Sequence, residues 1–332
     1  MPGTETRMLI TGGSGFIGTN AVEYFLNLGY RVLNIDIKQP QQKKHLSLWS
    51  QTSILDIEQL RKISLDFQPH YILHLAARTD LNEKQDLNEY AANIEGVKNI
   101  IRIANECELL RRIVFSSSRM VCRIDYIPQN PEDYCPPNLY GKSKVLTEQI
   151  IRESEINAEW LIVRPTSIWG PWFDVPYKIF FETIAKKMYF NISGFNPIKS
   201  FGFVYNTIYQ IDKLMYAPTE KISQKTFYLC DYPPLRVNNW ADIIRQGMKL
   251  PSIRTIPYRL ITIGAYIGDL LMSLGINRFP ITTFRLDNLI TDMVYDTSDL
   301  EAICGSLPFS LEEGVRITVD WMKQDMFSTS KT

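Results

Sequence analysis

The chain has 332 residues and a mass of 38.5 kDa, enough for about two domains of roughly 150 residues each. Its 36 basic and 36 acidic side chains give a formal charge of zero. This balance argues against nucleic acid as a partner, because nucleic-acid binders carry a basic surplus against phosphates. Hydrophobic residues make up 45% and charged residues 22% of the chain, so we expect a folded globular protein rather than a disordered one.

The cysteines and the apolar segments bear on the compartment. Five scattered cysteines without a CxxC pair are typical of reduced thiols, so we expect neither a disulfide framework nor a metal site. Residues 1–7 contain no apolar stretch of signal-peptide length. Residues 257–276 are largely apolar, but Arg259 and Asp269 interrupt them, which favours a buried or interfacial helix over a membrane-spanning one. A cytoplasmic chain without an integral membrane segment is predicted.

Short apolar strands alternate with helical stretches over about the first 165 residues. The predicted strands lie at residues 8–10, 31–35, 71–75, 112–115 and 160–163. Strands separated by helices predict βαβ units and a parallel sheet covered on both faces. The predicted fold class is therefore α/β.

The pattern loosens from about Trp169 onward, where aromatic residues concentrate. Thirteen of the 39 aromatic residues lie between Trp169 and Tyr209. Such a cluster fits a substrate cleft or ordinary core packing, and the sequence leaves both interpretations open.

A glycine-rich turn follows the first predicted strand. Residues 11–18 read TGGSGFIG, and the N-terminus of the helix that follows offers N–H groups to a pyrophosphate. Asp36 lies 18 positions beyond Gly18 at the end of the second strand, where its carboxylate can accept hydrogen bonds from the adenosine ribose. Because this carboxylate repels the 2′-phosphate of NADP, the predicted cofactor is NAD.

A tyrosine and a lysine four residues apart form a candidate catalytic pair. Tyr140 and Lys144 lie on one face of a predicted helix. We expect the lysine ammonium and a nearby positive nicotinamide to lower the pKa of the Tyr140 phenol, which is about 10 in the free side chain. Tyr140 then exchanges a proton with a substrate hydroxyl during hydride transfer. Ser116, Ser117 and Ser118 end a predicted parallel strand, where side chains face the ligand crevice.

With these motifs in place, the chain resembles the extended short-chain dehydrogenase/reductase family, in its NAD-dependent epimerase/dehydratase branch. The resemblance covers nearly the whole length. It rests on TGGSGFIG at 11–18, Asp36, Asp56-Ile57, HLAA at 74–77, Asn93 in NIEGVKNI, VFSSS at 114–118, YGKSK at 140–144, RPTSIWGP at 164–171, YDTS at 295–298 and SLEEGVRITVDW at 310–321. It implies a Rossmann-type doubly wound parallel sheet with a smaller C-terminal substrate domain.

The resemblance also assigns roles position by position. It implies Ser118, Tyr140 and Lys144 as the catalytic set, with Ser118 on the reacting oxygen and Lys144 also on the nicotinamide ribose. Asn93 fits either a cofactor contact or helix packing. The residues implied for the cofactor are Gly12, Gly15, Phe16, Ile17, Gly18, Asp36, Asp56, Ile57, Leu75, Ala76, Ala77, Asn93, Tyr140, Lys144 and Pro165.

Departures from the family pattern bear on the substrate. Sugar-nucleotide 4,6-dehydratases of this family carry an Asp-Glu pair after the catalytic hydroxyl, whereas this chain has Arg119 and Met120, which argues against a dehydratase. Members that act on nucleotide sugars clamp the diphosphate with arginines, and Arg285 lies about where such a clamp falls. A surface charge is the alternative for Arg285. The expected substrate contacts are therefore Ser118, Tyr140 and Arg285.

The leading hypothesis is an NAD-dependent nucleotide-sugar epimerase, acting at C4 through transient hydride transfer to bound NAD. Asp36 supports it, because an epimerase regenerates its NAD in each cycle whereas biosynthetic reductases more often use NADPH. The alternative enzyme is a dehydrogenase or 4-ketoreductase of a nucleotide sugar, or of a secondary alcohol as in the 3β-hydroxysteroid dehydrogenase branch. Intact Ser118, Tyr140 and Lys144 disfavour a nucleotide-binding scaffold without activity.

The resemblance also implies a domain division and an oligomeric state. Residues 1–168 are expected to form mainly the NAD-binding domain, and residues 169–326 mainly the substrate domain, with some segments returning to the first. Residues 327–332 are predicted to be a flexible tail. Family members often dimerise through a four-helix bundle, so we expect a homodimer built from the helices near 89–105 and 140–153.

Overall fold

The protein is described by a computed structural model that covers residues 5–81, 83, 85–174, 176–273 and 282–329. The strands are β1 (Arg7–Thr11), β2 (Arg31–Asp36), β3 (Trp49–Gln51), β4 (Tyr71–His74), β5 (Arg112–Ser116), β6 (Glu159–Pro165), β7 (Ser167–Trp169), β8 (Phe190–Ile192), β9 (Ile198–Lys199), β10 (Phe201–Phe203), β11 (Thr226–Leu229), β12 (Leu235–Arg236) and β13 (Arg254–Ile256). The helices are α1 (Phe16–Asn27), α2 (Ile57–Phe67), α3 (Ala91–Glu106), α4 (Leu139–Glu153), α5 (Tyr177–Ala185), α6 (Val204–Tyr216), α7 (Thr219–Ile222), α8 (Val237–Gly247), α9 (Tyr258–Ser273), α10 (Thr283–Ile290), α11 (Ser298–Cys304) and α12 (Leu311–Thr329).

Seven strands form one parallel sheet in the order β11-β6-β5-β4-β1-β2-β3. The strand order reverses at β1, which has β2 on one side and β4 on the other. In doubly wound sheets, ligands bind at such a switch point, outside the carboxyl ends of the strands. The structure therefore confirms the predicted α/β class and the Rossmann-type sheet.

The two faces of the sheet support two separate cores. Met8 and Ile10 of β1 belong to one apolar cluster with α1 and α6, whereas Leu9 between them belongs to another with α2, α3 and α4. All three side chains are at most 1% exposed. Successive side chains of a strand point to opposite faces, so a strand covered on both sides is apolar at every position. This is why the first strand reads as an uninterrupted apolar run.

The second half of the chain is divided between the sheet and smaller units. Strand β11 pairs with β6 at the sheet edge, as expected for a segment that returns to the first domain. Three two-stranded sheets, β10–β7, β12–β9 and β13–β8, lie outside the main sheet. Helix α12 includes residues 327–329 of the expected tail, while residues 330–332 lie outside the described part. The domain division and the flexibility of the tail remain predictions.

Among the helices of the described residues, none has both the length and the apolar character needed to cross a membrane. The segment singled out in the sequence, residues 257–276, contains α9 over Tyr258–Ser273. Ile261 and Ala265 of this helix are buried in a third apolar cluster with Ile192 and Leu286.

Candidate active site

A cavity of about 1060 Å³ lies at the carboxyl ends of the sheet strands. Residues that directly follow β1, β2, β4, β5 and β6 line it, namely Gly12, Ile37, Leu75, Ser117 and Thr166. Binding sites for small molecules usually measure about 300–1000 Å³, so this cavity has room for a large ligand. Its position is the one that the strand order predicts for a ligand.

The glycine-rich turn forms one wall of this cavity. Gly12 has a φ of +73°, and a Cβ atom there would lie 2.7 Å from the backbone nitrogen of Ala76, so only glycine fits. Helix α1 begins at Phe16, and no side chain at Gly15 caps its first turn. The N–H groups of that turn have no partner within the helix. They are therefore available to an anionic diphosphate, as the dinucleotide fingerprint predicts.

Asp36 stands at the end of β2 and lines the same cavity. Its carboxylate accepts hydrogen bonds from the backbone N–H groups of Ser14, at 3.0 Å, and Lys38, at 2.9 Å. These bonds hold the carboxylate next to the glycine-rich turn, where it can accept from ribose hydroxyls and repel a 2′-phosphate. The turn and Asp36 together fit NAD.

Ser118, Tyr140 and Lys144 also line this cavity. Tyr140 and Lys144 come from α4, and Ser118 comes from the turn after β5. All three residues are buried, with 8%, 8% and 4% of their surface exposed. Ser118 Oγ accepts from the Met120 N–H at 3.1 Å and acts to lower the pKa of the Tyr140 phenol, and Lys144 Nζ donates to the Ser116 carbonyl at 2.9 Å. The fold thus brings the predicted catalytic set together beside the cofactor turn.

Local sequence positions α4 against the Ser118 turn. Asn138 caps the helix, its side-chain oxygen accepting from the Gly141 N–H at 2.9 Å. A Cβ atom at Gly141 would lie 2.3 Å from the Met120 carbonyl oxygen. Any larger residue after Tyr140 would therefore push α4 away from the turn that carries Ser118.

Burial governs the titration of the catalytic pair. It raises the pKa of the Tyr140 phenol to about 12, although the hydrogen bond with Ser118 and the charge of Arg119 both act to lower it. Burial also lowers the pKa of the Lys144 ammonium to about 8. Lys144 is not among the groups that lower the pKa of Tyr140, because its ammonium donates to the Ser116 carbonyl. The lowering expected from a bound nicotinamide remains a prediction.

Twelve of the residues predicted for the cofactor line the cavity, which extends from the glycine-rich turn to the catalytic helix. They are Gly12, Gly15, Phe16, Ile17, Gly18, Asp36, Leu75, Ala76, Ala77, Tyr140, Lys144 and Pro165. Because they come from strands β2 and β6, helices α1 and α4, and the turns after β1 and β4, only the folded chain brings them together.

Three predicted cofactor residues, Asp56, Ile57 and Asn93, do not line the cavity. Asp56 caps α2 by accepting from the Gln59 N–H at 3.1 Å, and Ile57 packs against the core. Asn93 is 1% exposed, and its amide nitrogen donates to Ser143 Oγ at 2.8 Å. These side chains support the fold around the site, and their contact with the cofactor remains a prediction.

Arg285, the predicted diphosphate ligand, belongs to α10. Its side chain lies outside the described part of the structure, so its role as a clamp remains a prediction.

Aromatic residues close the cavity on the side of the second half of the chain. Trp172, Phe173 and Tyr177 line it, whereas Trp169 and Phe203 are fully buried in the core. Part of the aromatic cluster therefore lines the cavity and part packs in the core, and contact with a substrate remains a prediction.

Trp321 of α12 is a cavity residue that sequence reasoning missed. Its ring centroid lies 5.7 Å from that of Trp172. Trp321 falls within the closing motif of the resemblance, but nothing in the helical pattern there marks it as a site residue. Its position depends on α12 returning to the sheet from the end of the chain.

Comparison with known proteins identifies the family. The model of the NAD-dependent epimerase/dehydratase family matches residues 8–202. An N-acetyl-α-D-glucosaminyl-diphospho-ditrans,octacis-undecaprenol 4-epimerase of Escherichia coli O157:H7 is 23% identical over 322 residues, which are 95% of each chain. A 3β-hydroxysteroid dehydrogenase of Mycolicibacterium neoaurum is 25% identical over 267 residues, which are 75% of this chain and 72% of the relative.

A solved structure has the same fold over nearly the whole chain. The UDP-glucose 4-epimerase of Thermotoga maritima, crystallised with UDP-glucose, aligns with a TM-score of 0.73 at 20% identity and covers 97% of this chain and 100% of its own. The family match extends over more than half of the 332 residues and includes both the glycine-rich turn and the catalytic helix. The chain is therefore an NAD-dependent enzyme and belongs to the NAD-dependent epimerase/dehydratase family.

Proposed function

We propose that the protein interconverts two C4 epimers of a nucleotide sugar through transient hydride transfer to bound NAD. The observation that carries the proposal is the convergence of Ser118, Tyr140 and Lys144 on the cavity that also holds the dinucleotide turn. The names of the Escherichia coli relative and of the Thermotoga maritima structure, both 4-epimerases, support the position of the reaction.

The buried side chains of Ser118, Tyr140 and Lys144 have different roles in the reaction at the sugar carbon. Tyr140 takes the proton of the C4 hydroxyl as hydride leaves C4, and returns it when hydride is delivered to the other face of the ketone. Ser118 holds the reacting oxygen, and Lys144 holds the nicotinamide ribose. When bound, NAD supplies the acceptor and donor of hydride. Burial of all three side chains keeps water away from the ketone.

The proposed substrate rests on Arg119 and on the role that the family resemblance implies for Arg285. Arg119 replaces the acid pair that a dehydratase of this family carries, which favours epimerisation without loss of water. Its charge acts on both Tyr140 and Lys199, so it lies near the reacting end of the cavity. We assign the diphosphate to Arg285, since a guanidinium forms paired hydrogen bonds with phosphate oxygens.

A two-part assay tests this function. Purified protein is incubated separately with UDP-glucose, UDP-galactose, UDP-N-acetylglucosamine and UDP-N-acetylgalactosamine, and the sugar nucleotides are separated by anion-exchange chromatography. We expect at least one pair to converge on the same ratio from both directions without added cofactor. Denaturing the protein and quantifying released nucleotide by mass spectrometry should give near one NAD or NADH per chain. Conversion that is absent for every pair would refute this substrate class.

A net oxidoreductase is the second candidate, and the match to the Mycolicibacterium neoaurum 3β-hydroxysteroid dehydrogenase over 75% of this chain favours it. Such an enzyme oxidises a secondary alcohol and exchanges its cofactor in every turnover. With a 3β-hydroxysteroid and added NAD, it would form NADH and ketone in equal amounts. An epimerase instead accumulates neither product.

A further inference from the structure

Helix α9 is apolar on two opposite sides. Its inner side packs into the third apolar cluster through Ile261 and Ala265, which are 6% and 0% exposed. Its outer side, which we call the α9 outer face, consists of Leu260, Ile263, Tyr266 and Ile267, which are 60%, 57%, 66% and 49% exposed.

The spacing of the α9 outer face makes it one continuous stripe. Residues three, four and seven positions apart lie on one side of a helix, so these four side chains follow each other along α9. Surface helices normally place polar residues on the side that faces water. Isolated apolar side chains are common at protein surfaces, whereas contiguous ones mark interaction sites. The α9 outer face is therefore a candidate docking surface.

Basic residues lie on the elements of the same small unit. Arg259 is the second residue of α9, and Arg254 lies on β13 opposite Phe190 of β8. Lys186 and Lys187 precede β8 by a few residues. All four cations are exposed, and Lys186 pairs with Glu182 at 3.5 Å, so the positive charge that the unit presents comes mainly from Lys187, Arg254 and Arg259.

Acidic residues are absent from the two chain segments that build this surface. Residues 183–211 and 243–268 contain no Asp or Glu. Asp269 follows the second segment, but its carboxylate accepts from the backbone and side chain of Thr283 on α10. Glu182 and Asp242 directly precede the two segments and pair with Lys186 and Arg245, while the exposed carboxylates of Asp287 and Asp292 lie on α10 and just after it. The charge beside the stripe is therefore complementary to an anionic surface.

We propose that the α9 outer face docks on the interface of a bilayer that contains anionic phospholipid. The apolar stripe lies in the headgroup and upper acyl-chain region, with Tyr266 at the interface, and the four cations contact lipid phosphates. A symmetric contact with a second copy is disfavoured, because a twofold axis would bring the same four cations of each copy together. The docking is peripheral and does not depend on which reaction the cavity performs.

Vesicle sedimentation of the full chain tests the proposal. We use vesicles of phosphatidylcholine alone and vesicles of equal parts phosphatidylcholine and phosphatidylglycerol. We expect sedimentation with the anionic vesicles that weakens as salt is added, and little with the neutral ones. Wild-type protein that stays in solution with both vesicle types would overturn the proposal.

Two matched variants separate the α9 outer face from general charge effects. Ile263→Glu places a carboxylate in the stripe and should weaken vesicle binding at least about tenfold. Ile127→Glu makes the same change in an isoleucine that is 90% exposed outside this unit, and should bind vesicles like the wild type. Circular dichroism and NAD content establish that both variants are folded. Equal binding by Ile263→Glu and wild type contradicts the proposal.

Light scattering in the absence of lipid tests whether a second copy of this chain covers the α9 outer face. We expect Ile263→Glu and the wild type to have the same mass in solution. A smaller mass for the variant would show that another copy covers this face and would overturn bilayer docking.

Discussion

Tyr140 and Lys144 are both almost completely buried, and burial moves the pKa of each toward its neutral form, to about 12 for the phenol and about 8 for the ammonium. A phenol whose pKa is raised by burial is a weaker proton donor, so neighbouring groups must help it to release its proton. Ser118 and Arg119 are the protein groups that already act in that direction. Tyr140 is therefore positioned to transfer its proton only when charge develops beside it.

Replacing Tyr140 by Phe tests the role of its hydroxyl in proton transfer. Tyr140→Phe removes the hydroxyl and keeps the ring, so we expect kcat for epimerisation to fall about 10²–10⁴-fold while bound NAD is retained. Initial rates and released nucleotide are measured together. Tyr126→Phe is the control, because this hydroxyl bonds to Asp133 and does not line the cavity. A fully active Tyr140→Phe variant would refute the assigned role.

At the scale of elements, a buried ion pair links the sheet to α4, the helix that carries the predicted catalytic residues Tyr140 and Lys144. Arg164 of β6 donates to both carboxylate oxygens of Glu148 of α4, at 2.8 and 2.7 Å. The two side chains are 1% and 0% exposed. Glu148 lies one helical turn after Lys144 on α4. The ion pair therefore fixes the position of α4 along β6, so that Tyr140 and Lys144 line the cavity.

Arg164→Met should destabilise the protein by about 3–5 kcal/mol, because it leaves the Glu148 carboxylate buried without its cation. Urea unfolding followed by circular dichroism measures the change. Lys98→Met breaks an exposed pair with Glu95 on α3 and should cost less than about 1 kcal/mol. Similar losses in the two variants would argue against a special role for the buried pair.

Asp231 gives the junction between β11 and α6 a pH dependence. Burial raises the pKa of its carboxyl to about 7, even though the Phe203 N–H, at 3.0 Å, and the Asn206 amide, at 3.1 Å, donate to it. Between about pH 4 and that value, the folded state holds a proton that the unfolded state has released. The contribution of Asp231 to stability therefore falls as pH rises through this window.

Asp231→Asn removes that titration while keeping the shape of the side chain. We expect the free energy of unfolding of the wild type to decrease relative to Asp231→Asn as pH rises from about 4 to 7. Urea unfolding at several pH values measures the difference. Asp66→Asn, at an exposed position of α2, is the matched control. Its free energy of unfolding should change with pH as that of the wild type does. If the difference in free energy of unfolding between the wild type and Asp231→Asn stayed constant from about pH 4 to 7, Asp231 would not be the titrating group.

At the scale of the whole molecule, the predicted homodimer would use helices α3 and α4. Ile94 of α3 and Val145 and Leu146 of α4 are half-buried and belong to none of the three apolar clusters formed by the described residues. Helices α3 and α4 pack on each other, so two copies can form a four-helix bundle. This arrangement is the homodimer that the family resemblance implies.

Light scattering of Leu146→Glu tests the dimer. We expect the wild type to have twice the mass of one chain and the variant to have the mass of one chain, because a carboxylate would be buried in the bundle. Leu109→Glu changes a leucine that is 45% exposed in the turn after α3 and should leave the mass unchanged. A wild type with the mass of a single chain would refute the dimer.

Much of the nucleotide site was predictable because it is encoded within short stretches. The turn at 11–18 needs glycine for local reasons, as the φ of Gly12 shows, and Asp36 follows at the end of the next strand. Parallel strands place their carboxyl ends at one edge, so the residues after β4 and β5 had to meet there. Asp56 and Asn93 show the limit of such reasoning, since the fold uses both side chains for its own hydrogen bonds.

The sequence by itself determined the strand pattern, the α/β class, the cofactor turn and the Tyr140–Lys144 spacing. These properties depend on backbone sterics and on residues close together in the chain. Only the tertiary structure decided that Trp321 closes the cavity, that burial raises the pKa of Tyr140, and that the outer side of α9 stays exposed. Each of those depends on which distant segments exclude water from a side chain, and burial is a property of the assembled fold rather than of any local pattern.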